Sequence, residues 1–196
     1  MPSAEERSTV AGPRADRLPT VEPEEASPEV RSVYADFQRR MGFPAAPNFI
    51  KAQGHSLAAA TGTWGLVSNV LVGGALPRTV KELLFVAISH DRNCRYCEAA
   101  HIACCRMLGV KAESLSQLIS DVQNLTDNRL RDIISFGLKC SRNPQSLTEA
   151  DFDVLRKHGM KQSEIVELIA MSAFAVYANI MADATKMEPD EMFSQI

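Results

Sequence analysis

From Ser27 onward, apolar residues recur at intervals of three and four and almost nowhere at two. That is the period of amphipathic helices, not of half-buried strands. Val30, Val33, Tyr34 and Phe37 mark one face of a first helix. It opens at Ser27-Pro28-Glu29, an N-cap, an N1 proline and a first-turn acid, and closes near Gly42. Pro44 and Pro47 make a connector, and residues 48–53 a short helix stopped by Gly54. Residues 56–72 read as one longer helix, in which the alanines with Gly62 and Gly65 allow close helix packing at some cost in propensity. Its Trp64 is expected in the core or at a subunit interface. Pro77 introduces a helix that begins near Arg78 and carries a continuous apolar run from Leu83 to Ser89. The polar run His90 to Asn93 breaks it, with Asn93 as the next N-cap, and a helix follows from about Cys94 to Leu108, ended by Gly109.

Farther on, a short amphipathic helix follows Gly109, and another runs from an N-cap at Thr126 to about Cys140. A third is opened by the capping-box variant Thr148-x-x-Asp151, with His158 at its far end. The last helix, capped by Ser163, is apolar over much of its circumference and is expected to be central to the core or an interface. The pattern therefore predicts an all-α fold of seven to eight helices in one domain over residues 27–196. Residues 1–26, polar and carrying four prolines, are expected to form a flexible arm.

Composition narrows the function classes. The net charge of −3 and pI near 5.8 give no basic domain for nucleic acid. No stretch reads as a membrane span or a secretory leader. Five cysteines, an odd number and clustered, fit a reducing cytoplasmic setting with a functional thiol pair better than a secreted disulfide framework.

The candidate chemistry is concentrated in ELLFVAISHDRNCRYCEAAHIACCRMLG, residues 82–109, which holds four of the five cysteines and one acid within an apolar run, Glu82. With Cys94 as zero, Cys97 falls near about −60°, His101 near about −20°, Cys104 near about −80° and Cys105 near about +20° around a helix. They share one stripe, and Cys97 and His101 are an i, i+4 pair whose thiol and imidazole can meet. Thiols in the first turn of a helix are stabilised as thiolates by free N–H groups and the macrodipole. A thiolate attacks peroxide, and the sulfenic acid condenses with a neighbouring thiol. Glu82, in apolar surroundings, is expected to have a raised pKa and to relay protons.

The competing reading is buried structural cysteine, favoured for Cys104, Cys105 and Cys140. Zinc is disfavoured, because one helix cannot bring Cys94, Cys97, His101 and Cys104 around one tetrahedral ion. Asn179, in the apolar last helix, needs a partner and is expected to be structural.

Glu82, eleven residues, Cys94-Arg95-Tyr96-Cys97, three residues, His101 resembles the E-x11-C-x-x-C-x-x-x-H signature of alkylhydroperoxidase D-like (AhpD-like) proteins of the carboxymuconolactone decarboxylase superfamily. The likeness extends weakly over about residues 45–185. It implies the family's helical fold, a trimer or hexamer, and alkyl hydroperoxide reduction in antioxidant defence, with no metal, flavin or haem. It implies Cys97 as the attacking thiol, Cys94 as its resolving partner, and Glu82 and His101 as the proton relay. A dithiol protein or small thiol would be the reductant. This chain has Tyr96 where the best-known members have histidine, which bears on the relay and on substrate preference. Two further functions stand beside this one: a dithiol redox sensor without turnover, and a decarboxylase or lactonase on the same scaffold.

Overall fold

A computed structural model describes residues 18–195. Among them there is no strand; ten α-helices are joined by short 3₁₀ turns and one π-helical segment. The helices are α1 (Pro28–Met41), α2 (Asn48–Ala52), α3 (Leu57–Leu66), α4 (Arg78–Asp91), α5 (Arg95–Met107), α6 (Ala112–Ser120), α7 (Asn128–Arg142), α8 (Glu149–Lys157), α9 (Gln162–Ala184) and α10 (Met192–Gln195). The short helix expected over 48–53 is α2; the one-turn α10 was not expected, being too short for a hydrophobic period to register.

The centre is α4. Every residue from Lys81 to Ser89 is buried, as an apolar run without a polar face requires. It packs against α5, α7 and α9. Gly137 lets α7 come close: a Cβ there would stand 2.4 Å from the Leu84 methyl carbon Cδ1. Gly62 and Gly65 do not serve the close packing expected of them, since a Cβ at either meets nothing within 4 Å. The 23-residue α9 is long and apolar enough to cross a membrane by length and composition, a test that the sequence reading took no stretch to meet. Half of its most apolar window is buried here, against α4, α5 and α7.

The helix expected over 56–72 is α3 continued by a π-helical segment, Val67–Val72, where the Gly73 N–H bonds back to the Ser68 carbonyl. Lys81, 1% exposed, donates to the Val70 and Gly73 carbonyls and pairs with Glu167, which accepts from the Ala75 and Leu76 N–H groups. This buried polar knot fixes the junction between the π segment and α4.

Several caps differ by a residue or two. Asp127, not Thr126, caps α7, and Lys161 precedes α9 with Glu164 accepting its N–H. Asp151 accepts the Thr148 N–H as expected. Residues 1–17 of the expected arm lie outside the described residues. Residues 18–26 are seated on the body: the Tyr34 hydroxyl bridges the Val21 and Lys51 carbonyls, and Lys51 pairs with Glu22. Burial and the nearby Glu22 push the Tyr34 hydroxyl up to about 12.

Candidate active site

The turn between α4 and α5 sets the cysteine pair. Asn93 takes a left-handed backbone (φ 58°), which Asn tolerates better than most residues. This lets the Cys94 N–H return to the Ser89 carbonyl at 2.9 Å. Asn93 is thus the turn residue and Cys94 itself the N-cap; α5 begins at Arg95. Cys97 lies in the first turn of α5, where unpaired N–H groups and the helix dipole favour an anion. Gly109, left-handed at φ 76°, ends the helix as expected.

Glu82 and His101 meet across the α4–α5 contact. The carboxylate is fully buried and both oxygens are engaged. The Arg78 Nε donates to Oε1 at 3.1 Å, and His101 Nδ1 lies 2.5 Å from Oε2. Phe85, one turn on from Glu82, stacks on the imidazole with ring centroids 3.5 Å apart and planes 14° from parallel. The ring is held by one face and one nitrogen, and Glu82 is not alone in apolar surroundings as the sequence suggested.

The cysteine stripe divides. A cavity of about 40 Å³, walled almost wholly by apolar and aromatic side chains, is lined by Cys97, His101 and Cys104. Cys94 and Cys105 do not line it, because an N-cap residue lies outside the helical rotation and Cys105 points elsewhere into the core. All five cysteines are free and buried. The lowered pKa expected of a first-turn thiol does not hold for Cys94. Hydrogen bonding to Cys97, then burial, push its thiol up. Burial first, and the Glu82 charge second, push up Cys104 and Cys105. Behind Cys94, its sulfur lies 4.0 Å from the Asn179 carbonyl oxygen. The Asn179 amide nitrogen donates to Ser89 at 3.0 Å, while Oδ1 is the one buried side-chain polar atom without a partner among the described residues.

Glu82, His101 and Cys104 hold potential metal donors within 4.8 Å of one another. Two of them lie on α5 and the third on α4. Arg78 and His101 already occupy both carboxylate oxygens, so the guanidinium supplies the positive charge there.

Sequence reasoning missed the parts played by Arg78 and Cys104 and the partner of Tyr96. Arg78 is readable in retrospect as the i−4 neighbour of Glu82. Cys104, taken as core, faces the cavity seven residues after Cys97. Tyr96 donates its hydroxyl proton to Asp190 at 2.7 Å and accepts the Phe49 N–H at 3.0 Å. Nothing in local spacing marks a partner 94 residues away.

The model of the carboxymuconolactone decarboxylase family matches residues 58–125. Among solved structures, an uncharacterized peroxidase-related protein from Ralstonia eutropha JMP134, described as an alkylhydroperoxidase AhpD core, is 26% identical. The likeness covers 93% of this chain and 96% of that one, with a TM-score of 0.83. An uncharacterized peroxidase-related protein from Silicibacter sp. TM1040 is 24% identical over 94% and 97% of the two chains, with a TM-score of 0.80. The debrominase Bmp8, in complex with 2,3,4-tribromopyrrole, shares the fold at 18% identity and a TM-score of 0.76, over 91% and 94% of the two chains. No curated protein matches the chain.

Proposed function

As an AhpD-like member of the carboxymuconolactone decarboxylase superfamily, this chain is, we propose, a thiol-dependent peroxidase that reduces alkyl hydroperoxides. One observation carries the reading: Cys97 and His101 face one apolar cavity, and a fully buried Glu82 holds the far side of the imidazole. The thiol of Cys97 gives its proton to His101, and the sulfur attacks the peroxide. The O–O bond breaks, the terminal OH stays on sulfur as Cys97–SOH, and the alkoxide takes the proton back from His101 to leave as alcohol. Glu82 stabilises the charged imidazole meanwhile. The Cys94 sulfur then attacks the sulfenic sulfur, its proton passing to the departing hydroxyl as the S–O bond breaks. A Cys94–Cys97 disulfide and one water result. An external dithiol, protein or small thiol, reduces the disulfide and is itself oxidised.

The apolar cavity wall favours an alkyl over a charged substrate, since burying an unpaired charge there is costly. Peroxide consumption with dithiothreitol as reductant tests the reading. Wild type should turn over many times, and Cys97→Ser should fall to the background rate. One oxidation per chain without turnover would favour the redox-sensor reading. Decarboxylation of a muconolactone that survives Cys94→Ser/Cys97→Ser would favour a decarboxylase.

A further inference from the structure

The cavity beside Cys97 is smaller than the substrate it is meant to take. At about 40 Å³ it has room for roughly three water-sized centres. Hydrogen peroxide fits; an alkyl hydroperoxide with a bulky tail does not. Cys97 is 2% exposed and every other lining residue except His101 is buried, so a wall must move before an organic peroxide reaches the sulfur.

Most of the wall belongs to long helices, whose side chains withdraw only at the expense of the fold. Phe193 is different. It sits on α10, a four-residue helix that ends the described chain, and is 4% exposed. It fills its side of the cavity against the rings of Tyr96 and Phe43, each with centroids 5.8 Å away. The segment that carries it is anchored at Asp190. That carboxylate accepts the Tyr96 hydroxyl at 2.7 Å and the Asn48 N–H at 3.0 and 3.1 Å. The anchor's side-chain partner is therefore Tyr96, the residue standing between the two cysteines. The loop in the wall, Phe43 to Pro47, is tied down at both ends: Gln38 bonds the Pro44 carbonyl, and the Ile50 and Lys51 N–H groups bond that of Pro47. Besides the Asp190 bonds, only the Asn48 side-chain amide, donating to the Glu188 carbonyl at 3.4 Å, hydrogen-bonds this segment to the body among the described residues, and so few bonds mark an element that opens at low cost.

We propose that the segment from Glu188 to Gln195 is a gate over the peroxide cavity, with Phe193 as its plug and the Asp190–Tyr96 bond as its latch. Phe193 thereby sets how large an alkyl tail reaches Cys97. This rests on the peroxidase reading for its substrate, but access to Cys97 can be measured without it.

The rate of Cys97 alkylation by iodoacetamide and by the larger N-phenylmaleimide is followed by peptide mass spectrometry on the reduced full chain. Single-turnover oxidation by hydrogen peroxide and by cumene hydroperoxide is followed alongside. Phe193→Ala should raise the large-to-small rate ratio by about tenfold for both reagent pairs, the factor that removing about 1.4 kcal/mol of opening cost gives. Asp190→Ala, which keeps the plug but releases the latch, should move both ratios the same way; it also stands in if Phe193→Ala fails to fold by circular dichroism. Ratios unchanged in folded variants overturn the gate. If the alkylation ratio rises while neither peroxide oxidises Cys97 even in wild type, the gate stands and the peroxidase reading fails.

Discussion

At the scale of single residues, the site depends on two thiols in unequal surroundings. Cys94 is fully buried at the helix cap, and its proton is held first by Cys97 and then by desolvation. Cys97→Ala removes the larger cause, so Cys94 should move toward the ordinary thiol range and label faster at pH 8. Peptide-resolved iodoacetamide labelling of wild type and variant checks this. The raised thiols also have a consequence for stability. Cys94, Cys104 and Cys105 hold protons in the folded state that the unfolded chain releases above about pH 8.5. The folded state then binds more protons, so this contribution is fully present below that pH and is lost as pH rises toward the folded values. Urea midpoints at pH 7 and pH 10 should show the fall, and Cys105→Ala should lessen it.

Of these residues, Glu82, Cys94, Cys97 and His101 were legible because they lie within one 28-residue stretch and share a signature spacing. Arg78 and Tyr96 lie in or beside the same stretch, yet their roles come from where the charge and the hydroxyl point. Asp190 was invisible because its partners, Tyr96 and the Asn48 N–H, are distant in sequence.

At the scale of elements, hydrophobic period located every long helix and failed where backbone geometry departs from α. The π segment after α3 carries no sequence mark, yet it brings Val67 and Leu71 to the cavity. Glycine was misread for a related reason: small size permits close approach but does not require it. Gly137 stands at the α4–α7 crossing, where a methyl would drive into Leu84, itself fully buried and unable to yield. Gly137→Ala should cost about 1–3 kcal/mol. Gly62 is exposed and open within α3, and Gly62→Ala should stabilise by about 0.5–1 kcal/mol. Urea denaturation of the two variants checks the pair, and opposite signs are the expected outcome.

At the scale of the whole molecule, α4 is the axis, and the site lies where α5 crosses it. Glu82 reaches His101 only because the α4–α5 turn folds the two helices together, so this pair and the core form as one unit. The outer stripe of α9 remains apolar: Val166 is 64% exposed and Ile180 54%. They are fourteen residues apart and nearly on one face. A homo-oligomer is expected, and this stripe is where copies would meet. Light scattering should give a multiple of the 21.5 kDa chain mass for wild type and the single-chain mass for Val166→Glu/Ile180→Glu. Wild type already at the single-chain mass would remove that expectation.

The central claim concerns which sulfur meets the peroxide. Peptide mass spectrometry after one equivalent of an alkyl hydroperoxide, on wild type, Cys94→Ser and Cys97→Ser, reads it directly. Wild type should form a Cys94–Cys97 disulfide, Cys94→Ser should trap a sulfenic acid on Cys97, and Cys97→Ser should leave Cys94 reduced. A sulfenic acid on Cys94 in Cys97→Ser, with Cys97 left reduced in Cys94→Ser, would reverse the two roles. Reduced cysteines throughout, with oxidation at distant methionines, would contradict the peroxidase chemistry itself.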